Sequence, residues 1–150
     1  MTKEVKILDI SHEELVNLFS GATYGNPYMG IEVAPSSYEL SKMLTAKAKE
    51  THEIEDICQE DIWAMTIKNG GTLAFIDYED DDYNEEEDNV GNEIEGNGVH
   101  FIDFEKLIDG LNKSYQQCPN DIERLEQEED DMITDYNVCQ VIMFGEVVYG

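Results

Sequence analysis

The sequence predicts an α+β domain, a small and mainly antiparallel sheet of about four strands with helices packed on one side. Three observations carry that expectation. Short apolar segments of period 2 stand apart from longer stripes of period 3.6. Their order reads β-α-β-α-α-β-β-α-α-α. The length of 150 residues suits one domain, 1–150.

Val5 to Ile10 (VKILDI) reads as a first strand. Ser11 and Glu14 form a capping box, and the helix they open places Leu15 and Phe19 one turn apart, with Gly21 as its stop. Met29, Ile31 and Val33 alternate with Gly30, Glu32 and Ala34 in a second strand. Ser36 to Glu39 is a second capping box, and its helix aligns Leu40, Met43 and Leu44. A third helix, from about Ile57 to Lys68, aligns Cys58, Ile62 and Met65 and stops at Asn69-Gly70-Gly71. Thr72 to Tyr78 is apolar on both faces, which places it in the middle of the sheet.

A long acidic loop, about 79–98, separates that strand from Val99 to Ile102, the returning one. Loops of this length are usually functional or disordered. Asp103 caps a helix with the cleanest stripe in the chain, Phe104, Leu107, Ile108, Leu111 and Tyr115. Pro119 fits the first turn of another helix, with Ile122, Leu125, Met132 and Ile133 able to share a face. Val138, Val141, Ile142, Gly145 and Val148 fit helical spacing too. Gln140 breaks the alternation of a half-buried strand, so a helix is expected to about Phe144.

Charge is the dominant feature. Thirty-five Asp and Glu face nine Lys and Arg, a formal net charge of −26. Residues 1–50 hold 5 basic and 7 acidic side chains, residues 51–100 hold 1 and 16, and residues 101–150 hold 3 and 12. Direct nucleic-acid binders need Lys and Arg to displace counterions, and peripheral membrane proteins need a basic face. The composition therefore disfavours both and points to a basic partner. Three dispersed cysteines, Cys58, Cys118 and Cys139, without a C-x-x-C pair and behind an N-terminus without a signal-like apolar run, suggest reduced thiols in a cytoplasmic setting.

Motifs of chemistry are weak. An EF-hand register from Asp82 puts Asp82, Asn84, Glu86, Asp88 and Glu93 at ligand positions, but Glu87 stands where the loop needs glycine. His12, His52, His100 and the cysteines lack zinc spacing. Gly91 to Gly98 has the glycine gap of a P-loop without its Lys-Ser/Thr. Thirty-five carboxylates guarantee pairs, so a pair alone says nothing of glycosidase chemistry. The expectation is a non-enzymatic protein with no cofactor, no catalytic residues and no metal site. Tyr24 and Tyr78 are expected to pack at the core edge, while an aromatic amid carboxylates such as Tyr83 or Tyr136 also suits an interface.

So much like charge on a small chain is destabilising by self-repulsion, and its unevenness points to a localised surface rather than salt adaptation. Duplex DNA carries one charge per ~1.7 Å, so the net charge matches roughly 44 Å of duplex. Extended pairs Glu79-Asp81 and Glu85-Glu87 would lie about 6.6 Å apart. Glu53, Asp56, Glu60 and Asp61 fall at helical intervals, and Asp121, Glu128, Asp131 and Asp135 extend the pattern. In charge and size the chain resembles the phage and mobile-element proteins that mimic DNA to inhibit restriction, CRISPR or recombination enzymes. That resemblance is compositional and implies a partner that is a basic, nucleic-acid-binding protein. The residues expected to meet it are Glu79, Asp80, Asp81, Asp82, Glu85, Glu86, Glu87, Asp88, Glu128, Glu129, Asp130 and Asp131. An acidic adaptor or chaperone for a basic protein, without mimicry, is the alternative, followed by an enzyme with an unrecognised carboxylate site.

Overall fold

A three-stranded antiparallel sheet in the order β1-β2-β3 organises the middle of the chain. The computed structural model describes residues 7–149. Its elements are α1 (His12–Thr23), β1 (Met29–Val33), a 3-10 turn (Pro35–Ser37), α2 (Tyr38–Thr51), α3 (Gln59–Lys68), β2 (Leu73–Asp77), β3 (Val99–Ile102), α4 (Phe104–Gln117), α5 (Pro119–Glu126) and α6 (Met132–Phe144). The protein is therefore α+β, with three strands among the described residues rather than four. The chain divides into two compact units, 27–104 and 7–26 with 105–149.

In the unit 27–104, β2 is central, as its two-faced apolarity predicts, and all five of its residues are buried. Opposed pairs share a face: Gly30 meets Ile76, Glu32 meets Ala74 and Ile76 meets Val99 on one side, while Ile31, Phe75 and His100 line up on the other. Helix α3 packs against β1 and β2. Its buried residues are Trp63, Ala64, Ile67, Thr66 and Asp61, so the expected Cys58–Ile62–Met65 stripe is rotated off the core. Cys58 is the N-cap, where its N–H donates to Asp61 Oδ2 at 2.9 Å. Similarly, α2 buries Ser41 and Ala48 while Met43 is 59% exposed. The second capping box does not form. Ser37 Oγ accepts from the Thr72 N–H at 2.8 Å, tying α2 to β2 instead of capping its own helix.

In the other unit, Leu15 and Phe19 are buried as expected, and Ser11 Oγ accepts from the Glu14 N–H while its hydroxyl donates to the Glu14 carboxylate. The first expected strand is corrected here. Val5 and Lys6 lie outside the described residues, and 7–10 pairs with no strand. The Ile7 backbone bonds instead to the Asn112 side chain of α4, whose Oδ1 accepts at 2.6 Å and whose Nδ2 donates at 3.1 Å. Helix α6 is buried nearly all round, from Val138 to Met143. Gln140 is the reason a polar residue is tolerated there: its Oε1 accepts from the Val148 and Tyr149 N–H groups and its Nε2 donates to the Tyr149 carbonyl. The helix ends at Phe144, with Gly145 at φ 81°. Ile122 and Leu125 are buried, but α5 stops before Met132 and Ile133, which sit 43% and 65% exposed on the first turn of α6. Gly21 is not a helix stop, because α1 continues to Thr23. Among the described residues no helix is long and apolar enough to cross a membrane.

Candidate partner-binding surfaces

The acidic loop is ordered by its own side chains. Asp77 Oδ1 accepts from the Glu79 N–H, Asp80 Oδ1 from the Asp82 N–H and Asn84 Oδ1 from the Glu86 N–H, at 2.8–3.0 Å. These are Asx turns, in which a short side chain replaces a backbone acceptor. Asp88 Oδ1 takes the Gly91 N–H at 2.8 Å, and Asn97 Nδ2 donates to Glu87 at 2.8 Å. Glu93, at φ 52°, reaches Ser36, whose N–H bonds to its carboxylate and holds its pKa below the ordinary value. The acidic composition is thus partly turn chemistry.

Aromatic and apolar side chains seat this loop on the sheet. Tyr78 and Tyr83 meet edge to face, with ring centroids 5.2 Å apart. Tyr78 lies over Gly30, where a Cβ would come within 2.5 Å of its hydroxyl. Burial raises both phenol pKa values, and Glu32 and Glu85 add to it. A cavity of about 180 Å³ remains between Tyr83 and Val90 of the loop and Glu32, Ile76 and Val99 of the sheet. Tyr78, though 41% exposed, packs at the edge of the sheet as expected, whereas Tyr24 is 53% exposed.

Of the predicted site residues, Glu79, Asp81, Asp82, Glu85, Glu86, Glu87 and Asp88 are exposed and Asp80 is half-buried on this loop. Among the described residues, no ion pair engages Glu79, Asp81, Asp82, Glu85 or Glu86. The carboxylate rows expected from spacing are not formed. Glu79 to Asp81 and Glu85 to Glu87 run through turns, where the extended rise does not apply. Glu53 and Asp56 precede α3, and Asp61 is buried at its N-terminus. Nor do the EF-hand positions converge. Asp88 is committed to Gly91 and Glu93 to Ser36, and among the described residues no three acidic, His or Cys groups are placed to hold a metal.

The remaining predicted residues form the α5–α6 turn in the other unit. Helix α5 closes with a Schellman pair: Glu129 N–H donates to the Arg124 carbonyl and Glu128 N–H to the Leu125 carbonyl. Glu128 holds the left-handed position that usually takes glycine, at φ 57°. Asp131 caps α6, accepting from the Thr134 N–H at 2.8 Å, and that bond lowers its pKa. Arg124 stands 3.8 Å from the Asp131 carboxylate.

Asp135, which reads in the sequence as one more surface carboxylate, is 2% exposed. Its carboxyl occupies the space that a Cβ on Gly21 of α1 would need. Oδ1 is buried without a hydrogen-bond partner. Burial, then a hydrogen bond and the charge of Asp130, then the charge of Asp131, push its pKa up to about 10. A cleft of about 330 Å³ opens beside it, lined by Asn17, Ser20 and Gly21 of α1 and by Glu128, Asp130, Asp131 and Met132. No local signal in the sequence marks this site, where Gly21 reads as a helix stop and Asp135 as part of a surface carboxylate pattern.

No activated thiolate accompanies these surfaces. Cys58 is exposed, and the neighbouring Glu60, slight desolvation, Asp61 and Asp56 raise its pKa. Burial pushes Cys118 up to about 11 and Cys139 well above its ordinary value. No protein-family model, no curated protein and no solved structure matches the chain.

Proposed function

We propose that this chain is a non-enzymatic acidic interaction protein that occupies the basic, nucleic-acid-binding surface of a partner protein, in the manner of the DNA-mimicking inhibitors of phage and mobile elements. The observation that carries this reading is an exposed acidic loop whose carboxylates at Glu79, Asp81, Asp82, Glu85 and Glu86 have no cationic partner among the described residues. The loop's hydrogen bonds fix it in advance, which limits the ordering entropy that binding would otherwise cost. A dense field of one sign speeds encounter with a basic surface and makes association sensitive to salt. Thiols held in their neutral form are poor nucleophiles, in keeping with a binding role.

The test titrates the protein into a basic nucleic-acid-binding protein already loaded with labelled DNA. Release of the DNA in proportion to added protein supports the reading. A second reading, an acidic adaptor that leaves the nucleic-acid site free, is favoured by the irregular, turn-based spacing of the loop carboxylates. A stable ternary complex selects it.

A further inference from the structure

We propose that the cleft between α1 and the α5–α6 turn, lined by Asn17, Ser20, Glu128, Asp130, Asp131 and Asp135, receives an arginine side chain of the basic partner. The inference deepens the proposed function and rests on it for the class of partner. Its ground is Asp135. A carboxyl 2% exposed, with an oxygen that finds no hydrogen bond, is a costly thing to keep in a helical core. The surrounding structure makes room for it, since any side chain at Gly21 would displace it. It lines a cleft whose other charged walls are all carboxylates.

The occupant such a site fits is a cation rich in donors. Carboxylates, the Asn17 carbonyl oxygen and the Ser20 hydroxyl supply acceptors. A guanidinium presents five N–H donors in a fixed plane and bonds carboxylates in pairs, whereas an ammonium is a compact point charge. A volume of about 330 Å³ is large for a bare ion, and no three ligating groups among the described residues converge on one point.

Occupation would be coupled to a proton. The Asp135 carboxyl, its pKa pushed up to about 10 first by burial and then by the neighbouring Asp130 and Asp131, holds a proton at neutral pH. A guanidinium supplies the donors and the positive charge that the proton supplies before it, so the proton leaves to solvent. The groups facing Asp135 are consistent with that exchange. Helix α1 contributes only uncharged Asn17, Ser20 and Gly21, and the turn contributes Glu128, Asp130 and Asp131. Arg124 of α5 stands by Asp131, and along α6 the nearby Cys139 thiol is neutral.

The experiment measures calorimetric binding of an arginine peptide and a lysine peptide of equal length. It is run at pH 7.5 in two buffers of different ionisation enthalpy. The expected result is severalfold tighter binding of the arginine peptide with release of about one proton. Asp135→Asn should abolish the proton release and bring arginine affinity down to that of lysine, and Asp130→Asn, which removes a carboxylate from the cleft wall, should weaken arginine binding severalfold. Asp130 is on the turn, so its variant keeps the test valid if Asp135→Asn alters folding. Equal affinities, no proton release, or variants that behave as wild type would overturn the inference, as would micromolar calcium or magnesium binding lost in the same variants. DNA displacement that survives Asp135→Asn unchanged would reject the cleft alone. Arginine-selective, proton-coupled binding without DNA displacement would reject the mimicry reading alone.

Discussion

Gly21 on α1 and Asp135 on α6 share one space: a Cβ on the glycine would collide with the aspartate's carboxyl. The missing side chain is what lets a carboxyl lie between two packed helices. Gly21→Ala is therefore expected to destabilise the protein by about 1–3 kcal/mol through overpacking. Helix propensity alone would favour alanine by roughly 1 kcal/mol. In an Asp135→Ala background the same change should be neutral or stabilising. Urea unfolding of the four proteins in a double-mutant cycle reads the coupling directly.

The raised pKa of Asp135 fixes the sign of a pH effect. The unfolded carboxyl ionises near pH 4, while the folded one stays protonated up to about 10. The unfolded state then binds fewer protons across that interval, so this group's contribution is full at acid pH and is lost as pH rises from about 4 to about 10. Asp135→Asn, of equal size and without a charge, removes the dependence. Its melting temperature should exceed that of wild type at pH 8 and converge on it towards pH 4. Parallel melting curves at every pH would contradict the assignment.

Glu128 offers a second stability test on the same turn. A non-glycine residue in the left-handed region costs roughly 1–2 kcal/mol, and Glu128 sits there at φ 57° as the Schellman residue of α5. Glu128→Gly should stabilise by about 1 kcal/mol, net of glycine's greater unfolded-state entropy. Chemical denaturation at moderate salt separates this from the relief of charge repulsion, for which Glu128→Gln is the control.

These sites show where sequence reasoning succeeds and where it stops. The central strand was legible from its continuous apolar run, buried at every residue as Phe75 illustrates, and α4 from its helical stripe, as Leu107 illustrates. The expected first strand failed because the partner of Ile7 is a side chain, Asn112, 105 positions away, which no local pattern encodes. The face of α2 was misread because small residues, Ser41 and Ala48, are buried while Met43 faces outward, and that of α3 because Trp63 and Ile67, one turn apart, face the core in place of Ile62 and Met65. The acidic loop's position was plain, but its order was not. Asx turns at Asp77, Asp80 and Asn84, and the bond from Asp88 to the Gly91 N–H, look in the sequence like any other polar surface residues. Asp135 was hidden for a related reason, since only the three-dimensional neighbour Gly21 distinguishes it from the surface carboxylates around it.

The loop itself separates turn-forming carboxylates from exposed ones, and substitution should follow that division. Asp88→Ala removes the acceptor of the Gly91 N–H, whereas Asp88→Asn keeps an oxygen in place. Hydrogen exchange at Gly91 should accelerate in the first and stay close to wild type in the second. The combined change Glu79→Gln, Asp80→Asn, Asp81→Asn, Asp82→Asn keeps the Asp80-type acceptor for the residue 82 N–H, so the loop should hold its shape while losing four charges. Its melting temperature should match or exceed that of wild type, because like-charge repulsion falls. Binding to a basic nucleic-acid-binding protein should nonetheless weaken severalfold or more, and the salt dependence of what remains should be shallower. A single change such as Glu86→Gln should alter affinity little, since exposed charges act together. Leu107→Ala is the opposite control: a fully buried side chain, expected to cost about 2–5 kcal/mol of stability without altering the charge of either surface. If the fourfold variant binds as tightly as wild type at every salt concentration, the loop is not the binding surface, and the acidic residues there serve only to build its turns.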